Sequence, residues 1–127
     1  MERLFIPGSD DTPEIEFNKN DGVLKISGKS LPEDVIEFYS PVFSWLEQYA
    51  AEPNDETRMH VKVLYFNSAS QRALNEIFSI LSRINVKGKK VEIEWYYHED
   101  DEEMKEAGEE FADITNIPFQ FKSYDLN

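Results

Sequence analysis

Residues 61–78 read VKVLYFNSASQRALNEIF, and how they fold decides the fold of the whole chain. Val61, Val63, Leu64, Tyr65 and Phe66 are nearly continuous in apolar character. That pattern suits a central strand covered on both faces, as in a mainly parallel or mixed sheet. Beyond Asn67 the spacing changes at once: Ala73, Leu74, Ile77, Ile80, Leu81 and Ile84 recur every three or four residues, until Gly88 stops the helix. A strand that runs straight into a helix is the first half of a crossover connection, so the fold class is α/β.

Upstream, TPEIEFNKNDGVLKISGKS reads as a hairpin. Ile15 and Phe17 alternate with glutamates, Asn20-Asp21-Gly22 supplies the turn, and Val23, Leu24 and Ile26 resume an apolar pattern ended by Gly28. Ser30-Leu31-Pro32-Glu33 has the form of a capping box. The helix it opens runs to about Tyr49, with Val35, Phe38, Tyr39, Val42, Trp45, Leu46 and Tyr49 on one face. Pro41 removes one hydrogen bond of that helix and predicts a kink. Downstream, Val91, Ile93, Trp95 and Tyr97 alternate as a strand, and the acidic stretch that follows opens a third helix with Met104, Ala107, Phe111 and Ile114 inward. Phe119 and Phe121 mark a last short strand. The expected order is ββαβαβαβ: one domain over residues 1–127, a mixed sheet of four or five strands with three helices.

The 127 residues are enough to bury roughly two thirds of the unfolded surface. With no cysteine, disulfides, thiolate metal sites and cysteine nucleophiles are excluded. No stretch has the length of a signal peptide's apolar core or of a membrane span, which leads us to expect a cytoplasmic protein. Net charge is −13, with 26 acidic and 13 basic residues, and this argues against nucleic acid and anionic membranes as partners. Residues 98–110 alone carry −7.

Short chemical motifs are absent. The five glycines are isolated and form no phosphate loop, no Gly-x-Ser-x-Gly elbow precedes a helix, and His60 and His98 share no ligand spacing. No cofactor or metal is therefore expected. The run HEDDEEMKEAGEE lacks the alternating ligands and turn glycine of a calcium loop. Its carboxylates suit the first turn of a helix, where the macrodipole favours them. A small metal-dependent hydrolase using residues 99–103 with His98 is the enzymatic alternative, and no nucleophile, base and orienting group can be named for it.

Asn67, Ser68 and Ser70 cluster at the C-terminal end of the most apolar strand, where open α/β sheets present their sites. One reading is purely structural. Ser68-Ala69-Ser70-Gln71 has the Ser-x-x-Gln form of a capping box, with Asn67 as the rival cap. The other reading is a hydroxyl placed for modification, because free N–H groups at a helix start welcome an anion.

TPEI, ISGKSLPEDVIEFYSPVFSWLEQY, LYFNSAS and WYYHEDDEEMKEAGEEF, in this order and over nearly the whole chain, resemble the SiaC family of bacterial regulatory phosphoproteins. These small domains are similar to STAS-type anti-sigma factor antagonists. The resemblance implies a non-catalytic adaptor with a STAS-like sandwich fold. It further implies a hydroxyl phosphorylated by a Ser/Thr kinase and dephosphorylated by a PP2C-like phosphatase. The phosphorylation state would control binding to a diguanylate cyclase, and so cyclic-di-GMP signalling and biofilm formation. The matching acceptor is Ser68, in a position where the family has Thr followed by two Ser; here Ala69 and Ser70 follow. Ser70 stays open as a second acceptor, and Asn67, Ser68, Ser70 and Gln71 form the expected partner contact. A partner switch in sigma-factor control is the alternative output.

Overall fold

The computed structural model describes residues 1–125. Nine elements follow in the order β1 (Leu4–Ile6), β2 (Glu14–Asn18), β3 (Val23–Ser30), α1 (Val35–Ala51), β4 (Glu56–Phe66), α2 (Ser68–Val86), β5 (Lys90–His98), α3 (Glu102–Thr115) and β6 (Phe119–Tyr124). They build one six-stranded sheet in the spatial order β1-β2-β3-β4-β5-β6. The first three strands are antiparallel neighbours, and β3 to β6 are parallel. The sheet has one strand more than the four or five expected. The addition is β1, whose three residues are too short for any alternation to show.

All three crossovers step to the next strand on the same side. Crossovers of one hand that keep stepping in one direction lay all their helices on the same face. The burial of β4 agrees: Thr57, Met59, Val61 and Val63 are buried, whereas Arg58, Lys62, Leu64 and Tyr65 are exposed. The expectation of a strand covered on both faces is therefore corrected. The apolar run looked two-sided because a register shift interrupts its alternation. Gly28 of β3 pairs with Val63 but Lys29 pairs with Tyr65, which leaves Leu64 as an extra residue. Leu64 and Tyr65 consequently both face out, 47% and 56% exposed, and Phe66 turns back to pack on Phe111. Gly28 does not end its strand either. It sits at the bulge with φ +112°, a conformation that side chains other than hydrogen disfavour.

One core fills the space between sheet and helices. Ile15, Phe17, Leu24 and Ile26 meet Tyr39, Val42, Leu46 and Tyr49 of α1, and α2 contributes Leu74, Ile77, Phe78 and Leu81. Trp45 stacks on Tyr49 at 5.2 Å, and Phe78 meets Phe111 edge-on at 5.1 Å. α1 runs unbroken through Pro41. Its start differs from expectation: the cap is Asp34, which accepts the Glu37 N–H at 3.0 Å, not Ser30. Ser30 still belongs to β3 and uses its hydroxyl in the interior. In α3, Met104 and Phe111 point inward and Ala107 packs partly, but Ile114 is 67% exposed. Gly108 takes the inward place nearest Trp95, whose Nε1 donates to the Met104 carbonyl at 2.9 Å.

The bare face is charged, and Glu94 is almost buried at its centre. His60 Nε2 lies 2.7 Å from it, Arg58 lies 3.6 Å away, and Lys122 pairs with its other oxygen. Burial pushes the Glu94 carboxyl up, but the Lys122 hydrogen bond and the charges of His60, Lys122 and Arg58 outweigh this and hold it below 4.5. Burial holds His60 below 6.5, aided by Lys25, Arg58 and Lys122 and opposed by Glu94.

Two expectations follow from this packing. A Cβ on Gly108 would come within 2.5 Å of the buried Trp95 indole, so Gly108→Ala should lower unfolding free energy in urea by about 1–3 kcal/mol, as overpacking does. Both His60 and Glu94 bind protons less readily folded than unfolded, so acid favours the unfolded chain. Stability should start to fall as pH drops below 6.5, through the His60 window, and fall further below 4.5 as Glu94 titrates. Denaturant midpoints from pH 7.5 to 3.5 measure this, and His60→Gln should flatten chiefly the upper part of the curve and, by removing one of the charges that hold Glu94 down, soften the lower part as well.

Candidate functional site

In a parallel sheet wound one way, every helix starts at the C-terminal end of the preceding strand. The starts of α1, α2 and α3 therefore share one end of the molecule. Asp34 caps α1 and Glu37 lies in its first turn; Asp101 caps α3, and Glu102 and Glu103 follow. The acidic run thus complements a helix dipole as its sequence suggests. No group of three or more His, Asp or Glu side chains among the described residues is placed to hold a metal ion, which gives the hydrolase alternative no support. α2 differs: its cap is the neutral Asn67 and its first turn contains no acidic residue. Its positive end is left without a carboxylate.

Asn67 Oδ1 accepts the Ser70 N–H at 2.8 Å, and its carbonyl accepts the Gln71 N–H at 2.9 Å. Asn67 is therefore the cap, in extended conformation with φ −91° and ψ 178°. The Ser68 capping box is corrected: Ser68 is the first helical residue, one position too late to cap. Its side chain is exposed, and no hydrogen bond ties its hydroxyl to another described residue. Gln71 is exposed as well, and Asn67 is half-buried.

Ser70 has a different place. It is completely buried, and its hydroxyl donates to the Ser30 carbonyl at 2.8 Å. The Ser30 hydroxyl donates in turn to Ser70 Oγ at 2.8 Å and meets the Tyr39 hydroxyl at 2.6 Å. With Tyr39 donating to Ser30, every hydroxyl proton of the chain has an acceptor. Burial raises the Tyr39 phenol above 10.0, against the Ser30 hydrogen bond, so it remains a donor. This three-residue chain ties the end of β3, α1 and the first turn of α2 together beneath Ser68. Nothing in the local sequence pattern marks it, because Ser30, Tyr39 and Ser70 lie on three separate elements. As a partner contact or second acceptor, Ser70 is corrected: with no exposed surface, it lies out of reach of a kinase or a docked protein.

Three clefts surround the junction. Between α1 and α2 lies one of ≈ 270 Å³, lined by Val35, Ile36, Phe43, Ala69, Arg72, Ala73 and Glu76. Leu64, Tyr65 and Phe66 border a second of ≈ 150 Å³ against Asp101, Glu103 and Met104 of α3. A third of ≈ 90 Å³ joins Gln71 to Glu110 and Ile114. Sequence reading missed Ile36, Leu64, Tyr65 and Ile114 as a surface set. Leu64, Tyr65 and Ile114 read as apolar-face residues of their elements, and the bulge turns the first two outward, whereas Ile36 lies off the apolar face of α1.

The buried and the exposed serine should respond oppositely to truncation. Ser70→Ala leaves two buried oxygens short of partners and should cost about 1–3 kcal/mol, whereas Ser68→Ala should stay within about 0.5 kcal/mol of wild type as an exposed change. Urea titrations of the two variants side by side measure the difference.

Comparisons with known proteins agree with this geometry. The family model "SiaC family regulatory phosphoprotein" matches residues 6–124. An uncharacterized protein of Pseudomonas aeruginosa (strain UCBPP-PA14) is 30% identical over 125 residues, covering 98% of this chain and 99% of that one. Apo-SiaC from Pseudomonas aeruginosa superposes with a TM-score of 0.90 at 29% identity, over 97% of this chain and 100% of the other. SiaC bound to the diguanylate cyclase SiaD, which it is described as activating, gives a TM-score of 0.90 at 30% identity, over 95% and 99% of the two chains. The chain belongs to the SiaC family of regulatory phosphoproteins.

Proposed function

We propose that this chain is a non-catalytic adaptor, acting as one domain over residues 1–127, whose phosphorylation on Ser68 switches its binding to a diguanylate cyclase. The observation that carries the reading is an exposed, unbonded hydroxyl at the one helix start of the three that lacks a carboxylate. A phosphate there brings about −1.5 to −2 charge and three acceptor oxygens. The free N–H groups and dipole of α2 receive it, and Arg72 stands one turn on, at the i+4 spacing that lets opposite charges pair on a helix. The free domain therefore accommodates the modification at little cost.

A docked complex does not. Asn67, Ser68 and Gln71, with Ala69 beside them, form the contact, and a partner packed over them buries the phosphate with imperfect pairing. Buried ions left short of partners cost several kcal/mol, and about 2.8 kcal/mol is already a hundredfold in affinity. A Ser/Thr kinase and a PP2C-like phosphatase set the state of Ser68. A nucleotide-using kinase and cyclase place the exchange in the cytoplasm. The cyclase is preferred to a sigma-factor regulator as output because a relative of 30% identity is described as a cyclase activator.

The test is to produce each diguanylate cyclase of the source organism separately and titrate it with wild type, Ser68→Ala, Ser68→Asp and authentic phosphoprotein. Wild type and Ser68→Ala should bind one cyclase. Ser68→Asp and the phosphoprotein should lose about a hundredfold, with a native circular dichroism spectrum. Equal binding by all four proteins refutes the switch.

A further inference from the structure

The two edges of the sheet are unequal. β1 is three residues long, whereas β6 presents Phe119–Tyr124 and pairs only with β5. Four successive residues of β6, Gln120, Phe121, Lys122 and Ser123, are exposed, so no described residue covers this edge. Folded proteins guard such a row of unpaired N–H and C=O groups with free charges, proline or a bulge. β6 is left without them. Its register against β5 is unbroken, and Pro118 precedes the strand. Within residues 117–124 of this highly charged chain, Lys122 alone carries a charge, and its ammonium is turned onto Glu94.

The Pro118 and Tyr124 carbonyls accept the N–H groups of Ile93 and Glu99, both at 3.0 Å. Backbone groups alternate along a strand, so the even-numbered residues of β6 face β5, and the N–H and C=O groups of Phe119, Phe121 and Ser123 point outward. We propose that a second copy of this chain pairs with this edge, β6 antiparallel to β6, about a two-fold axis at Phe121. In that register Phe121 lies opposite itself, and Phe119 lies opposite Ser123 of the other copy. Each pair exchanges N–H···O bonds in both directions, and every outward group of the three residues is used. Shifting the register by two residues leaves one of them unpaired, and one of the two shifts sets Lys122 against Lys122. In the centred register Lys122 lies beside Gln120 instead, and the two Phe121 rings meet across the axis. β1 is too short to receive β6, so the contact closes into a dimer and does not propagate into a fibre. Two bodies of charge −13 repel each other, while the paired edge brings no like charges together, so salt strengthens the association. With one strand a side, the interface is at the small end of the range and the dimer is weak. α2 follows β4, which β5 separates from β6, so Ser68 stays outside the contact and the inference stands apart from its switch.

Sedimentation equilibrium of the full chain at rising concentration tests this. Expected is a monomer–dimer equilibrium with no larger species, tighter in high salt than in low. Ser123→Pro removes an outward N–H and no bond to β5, and Phe121→Lys sets two ammonium groups across the axis. Each should weaken the dimer about tenfold or more, with the circular dichroism spectrum unchanged. The chain has no cysteine, so Phe121→Cys adds a single thiol. It faces its own copy at about 5.5 Å between Cα atoms, a separation a disulfide spans. Under mild oxidation it should cross-link far faster than Ser79→Cys, at an exposed position on α2. A chain that stays monomeric at the highest attainable concentration leaves the edge to a strand of another protein and overturns the proposal. So do species beyond the dimer, pairing by both Ser123→Pro and Phe121→Lys as tight as in wild type, or equal cross-linking at the two thiols.

Discussion

The direction of winding governs the rest of this molecule. β3 to β6 are joined by three crossovers that all step the same way, and chain chirality then leaves no choice of face for α1, α2 and α3. Three consequences follow from that one constraint. The helices share one core, the opposite face of the sheet stays open to water, and all three helix starts gather at one end. The open face explains why Glu94 is held by His60, Arg58 and Lys122: in the middle of the bare sheet a carboxylate is shielded enough to need partners, and neighbouring strands supply them in register. The gathered helix starts concentrate three positive dipole ends, and Asp34 and Asp101 with their following glutamates answer two of them. The third is left to Asn67 and the exposed Ser68.

What keeps that third start in place is internal. Ser70, Ser30 and Tyr39 form a hydrogen-bonded chain with no exposed surface, and Asn67 fixes the backbone above it. Such a buried polar chain is costly unless every member is satisfied, and here each hydroxyl has its acceptor. It also demands a specific register. Ser30 reaches Ser70 only because β3 continues past the bulge at Gly28, and that same bulge turns Leu64 and Tyr65 to the surface. Rigidity below the junction and apolar exposure beside it thus share an origin in one inserted residue.

This explains which parts of the protein were legible in its sequence. The helical faces of α1 and α2 were, because burial on one side of a helix imposes a 3.6-residue period that Val42, Leu46, Tyr49, Leu74, Ile77 and Leu81 keep without interruption. The strand–helix junction was legible too, from Asn67 and Ser68 following an apolar strand. The sidedness of β4 was not, since the bulge makes Val63, Leu64, Tyr65 and Phe66 read as a run although only part of it is buried. Nor was the division of labour among the serines. Ser30 and Ser68 both fit capping-box patterns, and the caps are Asp34 and Asn67. A capping motif states a local possibility. Tertiary contacts between residues 40 positions apart decide that Ser30 and Ser70 turn inward and Ser68 outward.

The same arrangement bears on how the switch proposed at Ser68 would operate. A phosphate can act by reshaping its own domain or by spoiling an interface. Reshaping needs a segment with two arrangements of similar energy. The first turn of α2 has little room for that: moving it would break the Asn67 cap, worth about 1 kcal/mol, and leave buried hydroxyls unpaired at about 1–3 kcal/mol. The α2 dipole offers a phosphate about 0.3–1 kcal/mol when exposed and Arg72 at i+4 about 0.2–0.5 kcal/mol, and both are on offer in the existing geometry. Nothing is gained by moving. The proposed modification would therefore leave the domain as it is and be read by whatever lies against Ala69 and Gln71. That fits a rigid adaptor, in which the partner, and not the fold, senses the charge.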